Sequence, residues 1–291
     1  MSNVQLLAED FEQYRGHLRA VAYRMLGSLN DAEEAVQEAW IRVSRADRDS
    51  VENLGGWLTT VTGRVCLDML RSRRARPEQP LEIHLPDPIV TSADDDPEQQ
   101  ALLADAVGIA LLVVLNRLSP DERLAFVLHD TFGVPFEQIA PLVDRTPEAA
   151  RKLASRARRR VQGAHATPNP DLAQQRQVVD AFLAAAREGD FDGLLAILHP
   201  DVVLRADLGA DKDIIERHGI EAVAEMVSTF ASLAAFARPV LINGGVGVLI
   251  APEGKPFALN AYTVVDDKIT AIHILADPAR ISQHDLPAIE D

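Results

Sequence analysis

"FEQIAPLVDRTPEAARKLASRARRRV", residues 136–161, decides how the first half of the chain is read. Phe136, Ile139, Ala140 and Val143 recur at helical spacing and predict a short helix with one buried stripe. Thr146 then supplies an N-cap, Pro147 suits the first helical position, and Glu148 favours the positive end of the helix dipole. In this second helix Ala150, Leu153, Ala157 and Val161 fall on one side and are expected to pack inward, leaving Arg151, Lys152, Ser155, Arg156 and Arg159 outward. Two helices around a tight turn, with cations on the free side of the second, have the grammar of a helix-turn-helix. Such a helix fits the major groove, where arginine binds guanine edges bidentately or holds phosphates. The competing reading is a solvated charged face. It fits less well, because the cations at 151, 152, 156, 158, 159 and 160 are largely unbalanced by i,i+4 acids and repel one another. Pro141 interrupts the first helix, removes a hydrogen bond and is expected to kink it.

The rest of the chain is acidic, with 44 acidic and 29 basic residues among 291 and a net charge of −15. Residues 171–291 hold 19 acids and 9 bases; the residues before them hold 25 acids and 20 bases, and every one of those 20 except Lys152 is arginine. Clustering matters more than the sum for phosphate binding. The 47% hydrophobic share excludes wholesale disorder, and the length predicts two or three domains. No apolar run approaches the ~20 residues of a membrane helix, and the opening "MSNVQLLAEDFEQYRG" carries no signal peptide, so a cytoplasmic protein without membrane partners is expected. Cys66 is the single cysteine, which excludes disulfides within the chain and a thiolate zinc site; no metal or cofactor is expected.

Residues 9–44 read as two amphipathic helices separated by "GSLN". Phe11, Leu18, Val21, Ala22, Met25 and Leu26 mark the first; Ala32, Val36, Ala39, Trp40 and Val43 mark the second, with Asn30 as N-cap and Glu33 completing a capping box. A third helix is expected from Trp57 to about Arg73. "RPEQPLEIHLPDPIVTSADDDPEQQ", residues 76–100, is a proline- and aspartate-rich linker. Helices resume at Leu102 and run to Val161, with starts at "LSPDER" and "DRTPEAA"; "HATPNPD" is a hinge. Beyond it the texture changes to two helical segments over 172–198, five strands and a helix near 220–236, with "APEGK" and "VDDK" as hairpin turns. That pattern predicts an α+β module with an antiparallel sheet.

A second basic cluster, "GRVCLDMLRSRRAR", sits on the third helix, where Trp57, Thr60, Arg64, Asp68 and Arg71 share one stripe. An aromatic beside arginines suits single-stranded DNA, whereas Trp57 as a core-edge residue is the alternative. "RAVAYRMLGSLNDAEEAVQEAWIRV", "GWLTTVTGRVCLDMLRSRRAR" and "LNRLSPDERLAFVLHDTFGVPFEQIAPLVDRTPEAARKLASRARRRV" resemble regions 2 and 4 of extracytoplasmic-function sigma factors of the sigma-70 family. The resemblance covers residues 10–163. It implies two all-α sigma domains, a region 2 helical bundle (1–76) and a region 4 helix-turn-helix (105–163), joined by a linker (77–104). It also implies core RNA polymerase and promoter DNA as partners. Gln37, Glu38 and Arg42 would dock on polymerase. Trp57, Thr60, Arg64, Arg71 and Arg74, with the loop 46–56, would open and read the −10 element. Thr146, Arg151, Lys152, Ser155 and Arg156 would read −35.

After a hinge at 164–170, residues 171–291 resemble the α+β SnoaL-like cone that one subgroup of these factors carries as a fused regulator. "HPDVVLRAD", "LINGGVGVLI" and "NAYTVVDDKITAIHIL" carry the likeness. The subgroup has a tryptophan–leucine–proline motif in the linker; here "LEIHLPDPIV" stands in its place with His84 for the tryptophan, and Leu85, Pro86, Asp87 and Pro88 are the expected contact with the tail. "LADPARI" stands where the subgroup has an asparagine–proline–aspartate motif. Two other readings are open. His199, Asp207, Asp211, His218, Tyr262 and His273 could line a catalytic pocket, although no spacing singles out a pair and structural roles are expected for them. A one-component regulator with an unidentified small ligand in its tail would explain the helix-turn-helix but not region 2.

Overall fold

In this computed structural model the described residues are 3–46, 53–75, 84–92, 108–163, 171–209, 212–284 and 286–287. The chain divides into two units, one made of residues 1–82 and 114–163 and the other of 83–113 and 164–291. The loop residues 47–52, most of the linker, the hinge 164–170 and Asp211 lie outside the described residues.

The first unit begins with α1 (Asn3–Leu26), α2 (Leu29–Ser44) and α3 (Leu54–Arg74). Phe11, Leu18, Val21, Ala22, Met25 and Leu26 are all buried. Gly27, at φ 73°, stops α1 so abruptly that the next residue must open α2. The N-cap is therefore Ser28, whose Oγ accepts from the Asp31 N–H at 3.3 Å, and not Asn30, which sits inside the first turn. Asn53 caps α3 by accepting from the Gly56 N–H at 3.0 Å, so this helix starts three residues before Trp57. Trp40 is only half-buried and packs on Phe11 with ring centroids 5.1 Å apart.

Helix α4 (Ile109–Asn116) straddles the division between the units in sequence, and the second half of the first unit then comprises α5 (Pro120–Phe126), α6 (Phe136–Ile139) and α7 (Pro147–Gly163). Ser119 and Glu122 form a full capping box at the start of α5. Pro141 changes helix type where a kink was expected. It has no N–H to continue the α-ladder, and Ala140–Val143 tightens into a 3₁₀ turn closed by Asp144 at φ 53°. The inward stripe of α7 is Ala150, Ala154, Ala157 and Val161, with Leu153 only half-buried; the i, i+4, i+7, i+11 row fits a small-residue seam against α5.

Helix α3 packs on α5, and both α1 and α3 pack on the π-helical turn Val127–Thr131 that continues it. Gly63 makes the approach possible, because a Cβ there would lie 3.0 Å from Leu128 Cδ1 and 3.3 Å from Leu124 Cδ1. Arg123, only 4% exposed, donates to the Met25 carbonyl at 2.8 Å and so caps the electronegative end of α1. Burial, with a smaller contribution from Arg73, lowers its pKa to about 9, which still leaves it charged at neutral pH. Phe132 stands edge-on to His17 and beneath the Arg24 guanidinium.

The second unit is a seven-stranded sheet in the order β1-β4-β5-β6-β7-β2-β3, with helices α8 (Leu172–Glu188), α9 (Phe191–Ile197) and α10 (Ile220–Thr229) on it. Its strands are β1 (Val90–Ser92), β2 (Leu198–Asp207), β3 (Ile215–His218), β4 (Ala237–Ile242), β5 (Gly245–Ile250), β6 (Ala258–Val265) and β7 (Lys268–Leu275). An all-antiparallel sheet was expected, but β2 runs parallel to β7. The long connection through β3, α10 and the antiparallel run β4-β5-β6 brings the chain back beside β2 in the same direction, a long crossover of the kind parallel neighbours need. Two strands escaped the sequence reading. β3 is four residues long, and β1 arises inside the proline-rich linker, where only its long-range pairing with β4 defines it. "VDDK" forms the expected turn, with Asp266 and Asp267 at φ 48° and 60°; Asn243–Gly244, read as strand, forms the same kind of turn at φ 52° and 72°.

Gly247 fixes how closely β5 can lie between its neighbours. A Cβ there would stand 2.6 Å from Ile242 Cδ1 and 2.9 Å from the Asn260 carbonyl oxygen. Gly247→Ala is expected to destabilise the protein by about 1–3 kcal/mol, read as a lower urea midpoint at unchanged slope.

Candidate nucleic-acid interface

The second helix of the helix-turn-helix is positioned by its own caps and by acids beneath it. Thr146 Oγ1 accepts from the Ala149 N–H at 3.3 Å, and the Arg151 guanidinium lies 5.2 Å above the Phe136 ring. Glu122, nearly buried at the start of α5, accepts from Arg160 at 3.0 Å and lies 3.5 Å from Arg156. Asp130, on the π-turn, accepts from Arg158 Nε at 2.8 Å. The six cations are thus less unbalanced than the helix alone suggests, because the acids that steady three of them come from other elements. Arg158 is half-buried against the domain, while Arg151, Lys152, Ser155, Arg156, Arg159 and Arg160 remain exposed.

Lys152, Ser155 and Arg156 line one concavity of about 480 Å³, together with Arg145, Arg159 and Asp121. Four cations face a single acid there. Thr146 and Arg151 are not among its lining residues. Arg145 was missed as a site residue; its signal was a cation on the exposed turn immediately before the N-cap.

The stripe on α3 is more engaged than expected. Trp57 is half-buried, and Thr60 turns its hydroxyl back to the Trp57 carbonyl at 2.7 Å. Arg64 lies 3.4 Å from Asp68 and donates to the Leu142 carbonyl at 3.0 Å. Arg71 donates to Asp121 at 2.9 Å and stands 3.9 Å from Asp144. Arg64 and Arg71 therefore both reach the helix-turn-helix half, Arg64 at a carbonyl of the 3₁₀ turn and Arg71 at the Asp121 carboxylate. Arg74 is exposed. On α2, Gln37 faces solvent, while Arg42 bridges Glu38 and Asp68, each at 3.0 Å.

Leu85, Pro86, Asp87 and Pro88 meet the sheet of the second unit around Asp207, whose side chain is 1% exposed. Asp207 accepts from the Leu85 N–H at 2.9 Å, the Gly209 N–H at 3.1 Å and Arg280 at 2.7 Å. Arg280 also donates to the Leu85 carbonyl and to Asp87, both at 2.6 Å. Asn243 exchanges two hydrogen bonds with Ile89, at 2.8 and 2.9 Å, and β1 then pairs with β4. Leu85, Pro86 and Pro88 are buried. Arg280 and Asn243 were not singled out beforehand, because each is polar, isolated in sequence and far from its partner.

The residues weighed for catalysis do not converge. Tyr262 lines an internal cavity, Asp207 is committed to the linker, His218 pairs with Glu216 at 2.6 Å, and His199 accepts from the Asp201 N–H at 3.1 Å. His273 stands beside Arg205 in the β2–β7 register, in the alternation set that does not line the cavity. Burial raises the pKa of Cys66 and keeps its thiol protonated. Among the described residues no group of acids, histidines and cysteine is arranged to hold a metal, and no helix is long and apolar enough to cross a membrane.

Three families match this chain: sigma-70 region 2 over residues 11–76, sigma-70 region 4 over residues 109–161, and a SnoaL-like domain over residues 179–272. The ECF RNA polymerase sigma factor SigJ of Mycobacterium tuberculosis (strain ATCC 25618 / H37Rv) is 37% identical over 292 positions, covering 94% of this chain and 92% of that protein. The probable ECF RNA polymerase sigma factor SigI of M. tuberculosis (strain CDC 1551 / Oshkosh) is 35% identical over 293 positions, covering 97% of each. A crystal structure of the M. tuberculosis extracytoplasmic function sigma factor SigJ superposes with a TM-score of 0.75 at 34% identity, covering 96% of this chain and 100% of that one.

Arg280 holds three groups of the linker contact at once, so its loss leaves a buried carboxylate without its cation, a change that costs about 3–5 kcal/mol. In Arg280→Ala, hydrogen exchange at the Leu85 and Ile89 amides is expected to accelerate at least tenfold while α7 is unchanged. Arg280→Lys, which keeps the charge without the fork, is expected to fall between the two.

Proposed function

This chain belongs to the extracytoplasmic-function RNA polymerase sigma factors of the sigma-70 family, with a SnoaL-like domain behind region 4, and from that premise we propose a division of labour among its residues. Lys152, Ser155 and Arg156, joined by Arg145 and Arg159, read the −35 element, with Thr146 and Arg151 setting the helix's entry. The carrying observation is the concavity at the start of α7, which gathers four cations in a chain of net charge −15. An acidic overall field weakens non-specific DNA binding, whose strength grows with the phosphates neutralised. Gln37, Glu38 and Arg42 on α2 face core polymerase.

Trp57, Thr60, Arg64, Arg71 and Arg74 engage the opened −10 strand. Arg64 and Arg71 have a second role in the free protein, where their bonds to Leu142 and Asp121 hold region 2 to region 4. Promoter engagement then requires these arginines to exchange a protein partner for phosphate or base. The SnoaL-like domain acts as a regulator without catalysis: its grip on Leu85, Pro86, Asp87 and Pro88 takes slack out of the segment that joins the two DNA readers.

Purified protein added to core RNA polymerase is expected to yield run-off transcripts from its cognate promoter; absence of both a complex and a transcript would overturn the reading. Arg156→Ala should weaken promoter binding by about 1–3 kcal/mol with relaxed selectivity at one base position if the contact is bidentate. A phosphate contact would lower binding evenly and flatten the salt dependence. Asp121→Asn removes the Arg71 partner, a half-exposed pair of the kind worth about 0.2–1 kcal/mol, and should speed open-complex formation by up to about fivefold in a stopped-flow assay.

A further inference from the structure

Two carboxylates border the concavity at the start of α7, and both have the same cation beside them. Asp121, in the first turn of α5, belongs to its wall, and Asp144 closes the 3₁₀ turn immediately before Arg145, which lines it as well. Arg71, in the last turn of α3, reaches both: it donates to Asp121 at 2.9 Å and lies 3.9 Å from Asp144. All three groups keep contact with water, the side chains of Arg71, Asp121 and Asp144 being 37%, 27% and 73% exposed. Glu122, next along α5, is nearly buried and has its own cations in Arg156 and Arg160.

The charge of the concavity therefore depends on a residue outside its wall. With Arg71 in place, the cations of Arg71, Arg145, Lys152, Arg156 and Arg159 face Asp121 and Asp144; with Arg71 gone, one cation fewer remains and both carboxylates lose their nearest partner. A bare carboxylate repels a phosphate that enters beside it, and contacts within one concavity lie inside the roughly 10 Å over which 0.1 M salt screens charge. Arg71 is also one of the residues assigned above to the opened −10 strand. The two duties exclude each other, because a guanidinium that has gone to that strand no longer covers Asp121.

We infer that Arg71 is also a positioning residue for the −35 site: by covering Asp121 and Asp144 it keeps that site receptive to phosphate, and its departure to the −10 strand loosens the hold of α7 on −35. The inference rests on the assignments of α3 and α7 made above. The coupling is reciprocal, so DNA bound at α7 makes Arg71 harder to draw away. The chain grips −35 most firmly while Arg71 is unengaged and slackens once the −10 strand is taken, the order in which a promoter is first found and then left.

The test uses the full chain without polymerase and a fluorescent duplex of the promoter's −35 half that lacks the −10 element, read by anisotropy at about 0.1 M salt. Arg71→Ala is expected to weaken binding of this duplex about two- to fivefold although no −10 element is present, the range one half-exposed charge pair spans. Arg71→Lys, which returns the cation, is expected to recover most of that loss. In an Asp121→Asn background the same Arg71→Ala change should weaken binding by less than about 1.5-fold, because the carboxylate it would bare is gone. Equal losses in the two backgrounds, no loss in either, or a lysine variant as weak as the alanine one would each overturn the inference. Lys152→Ala tests the assignment of α7 separately and should weaken the duplex in both backgrounds. If it does not, that assignment fails and takes this inference with it; if it does while the Arg71 and Asp121 effects simply add, this inference alone fails.

Discussion

One buried carboxylate organises the way the linker joins the sheet. Asp207 sits at the end of β2 with its side chain 1% exposed, which would be prohibitive without complete hydrogen bonding. It obtains that from a linker N–H, a glycine N–H and a guanidinium. Arg280 in turn uses its fork to hold Leu85 and Asp87, which a single ammonium could not do. The path of residues 84–92, the burial of Leu85 and the register of β1 on β4 follow from that cluster. Substituting either member alone leaves the other charged in a dry place.

In the helical unit, charge does two jobs with one residue type. Arg123 is a fixture: buried, donating to the Met25 carbonyl at the end of α1. Arg64 and Arg71 occupy half-exposed positions with partners on the helix-turn-helix half, and Arg156 rests lightly on Glu122 at 3.5 Å. Exposed pairs of this sort contribute little to stability. They are easily exchanged for phosphate, which suits a surface that must change partners, whereas Arg123 is placed where no exchange is possible.

The local signals in the sequence were enough for the helices and most strands. Periodicity located α1, α2 and α7, and "LSPDER" and "DRTPEAA" marked the starts of α5 and α7. Errors arose where two local signals competed, as when the tight turn at Gly27 let α2 begin at once, capped by Ser28 and not Asn30. Features defined only by distant partners stayed hidden. Three residues of β1 carry no strand signal of their own, and the parallel pairing of β2 with β7 has no signature within either strand. The outward side of α7 was legible because helical geometry alone decides it. The long-range partners of Arg64, Arg71 and Arg280 were not, since Leu142, Asp121 and Leu85 each lie at least 50 residues away in sequence. Asp207 was noticed for its chemistry and weighed as a pocket acid, with a structural role expected; that role, as the linker's anchor, was not legible because its partners lie far away in sequence.

Because β1 is borrowed from the linker, it also finishes the sheet. Without it, β4 would be an edge strand presenting the free backbone of Val240, Leu241 and Ile242, an apolar run of the sort that pairs with copies of itself. Pro239 blunts only one position of that edge. The linker therefore protects the protein from self-association as long as it stays docked. Any event that frees it uncovers a sticky seam, so release has to be brief or has to hand the seam to another strand.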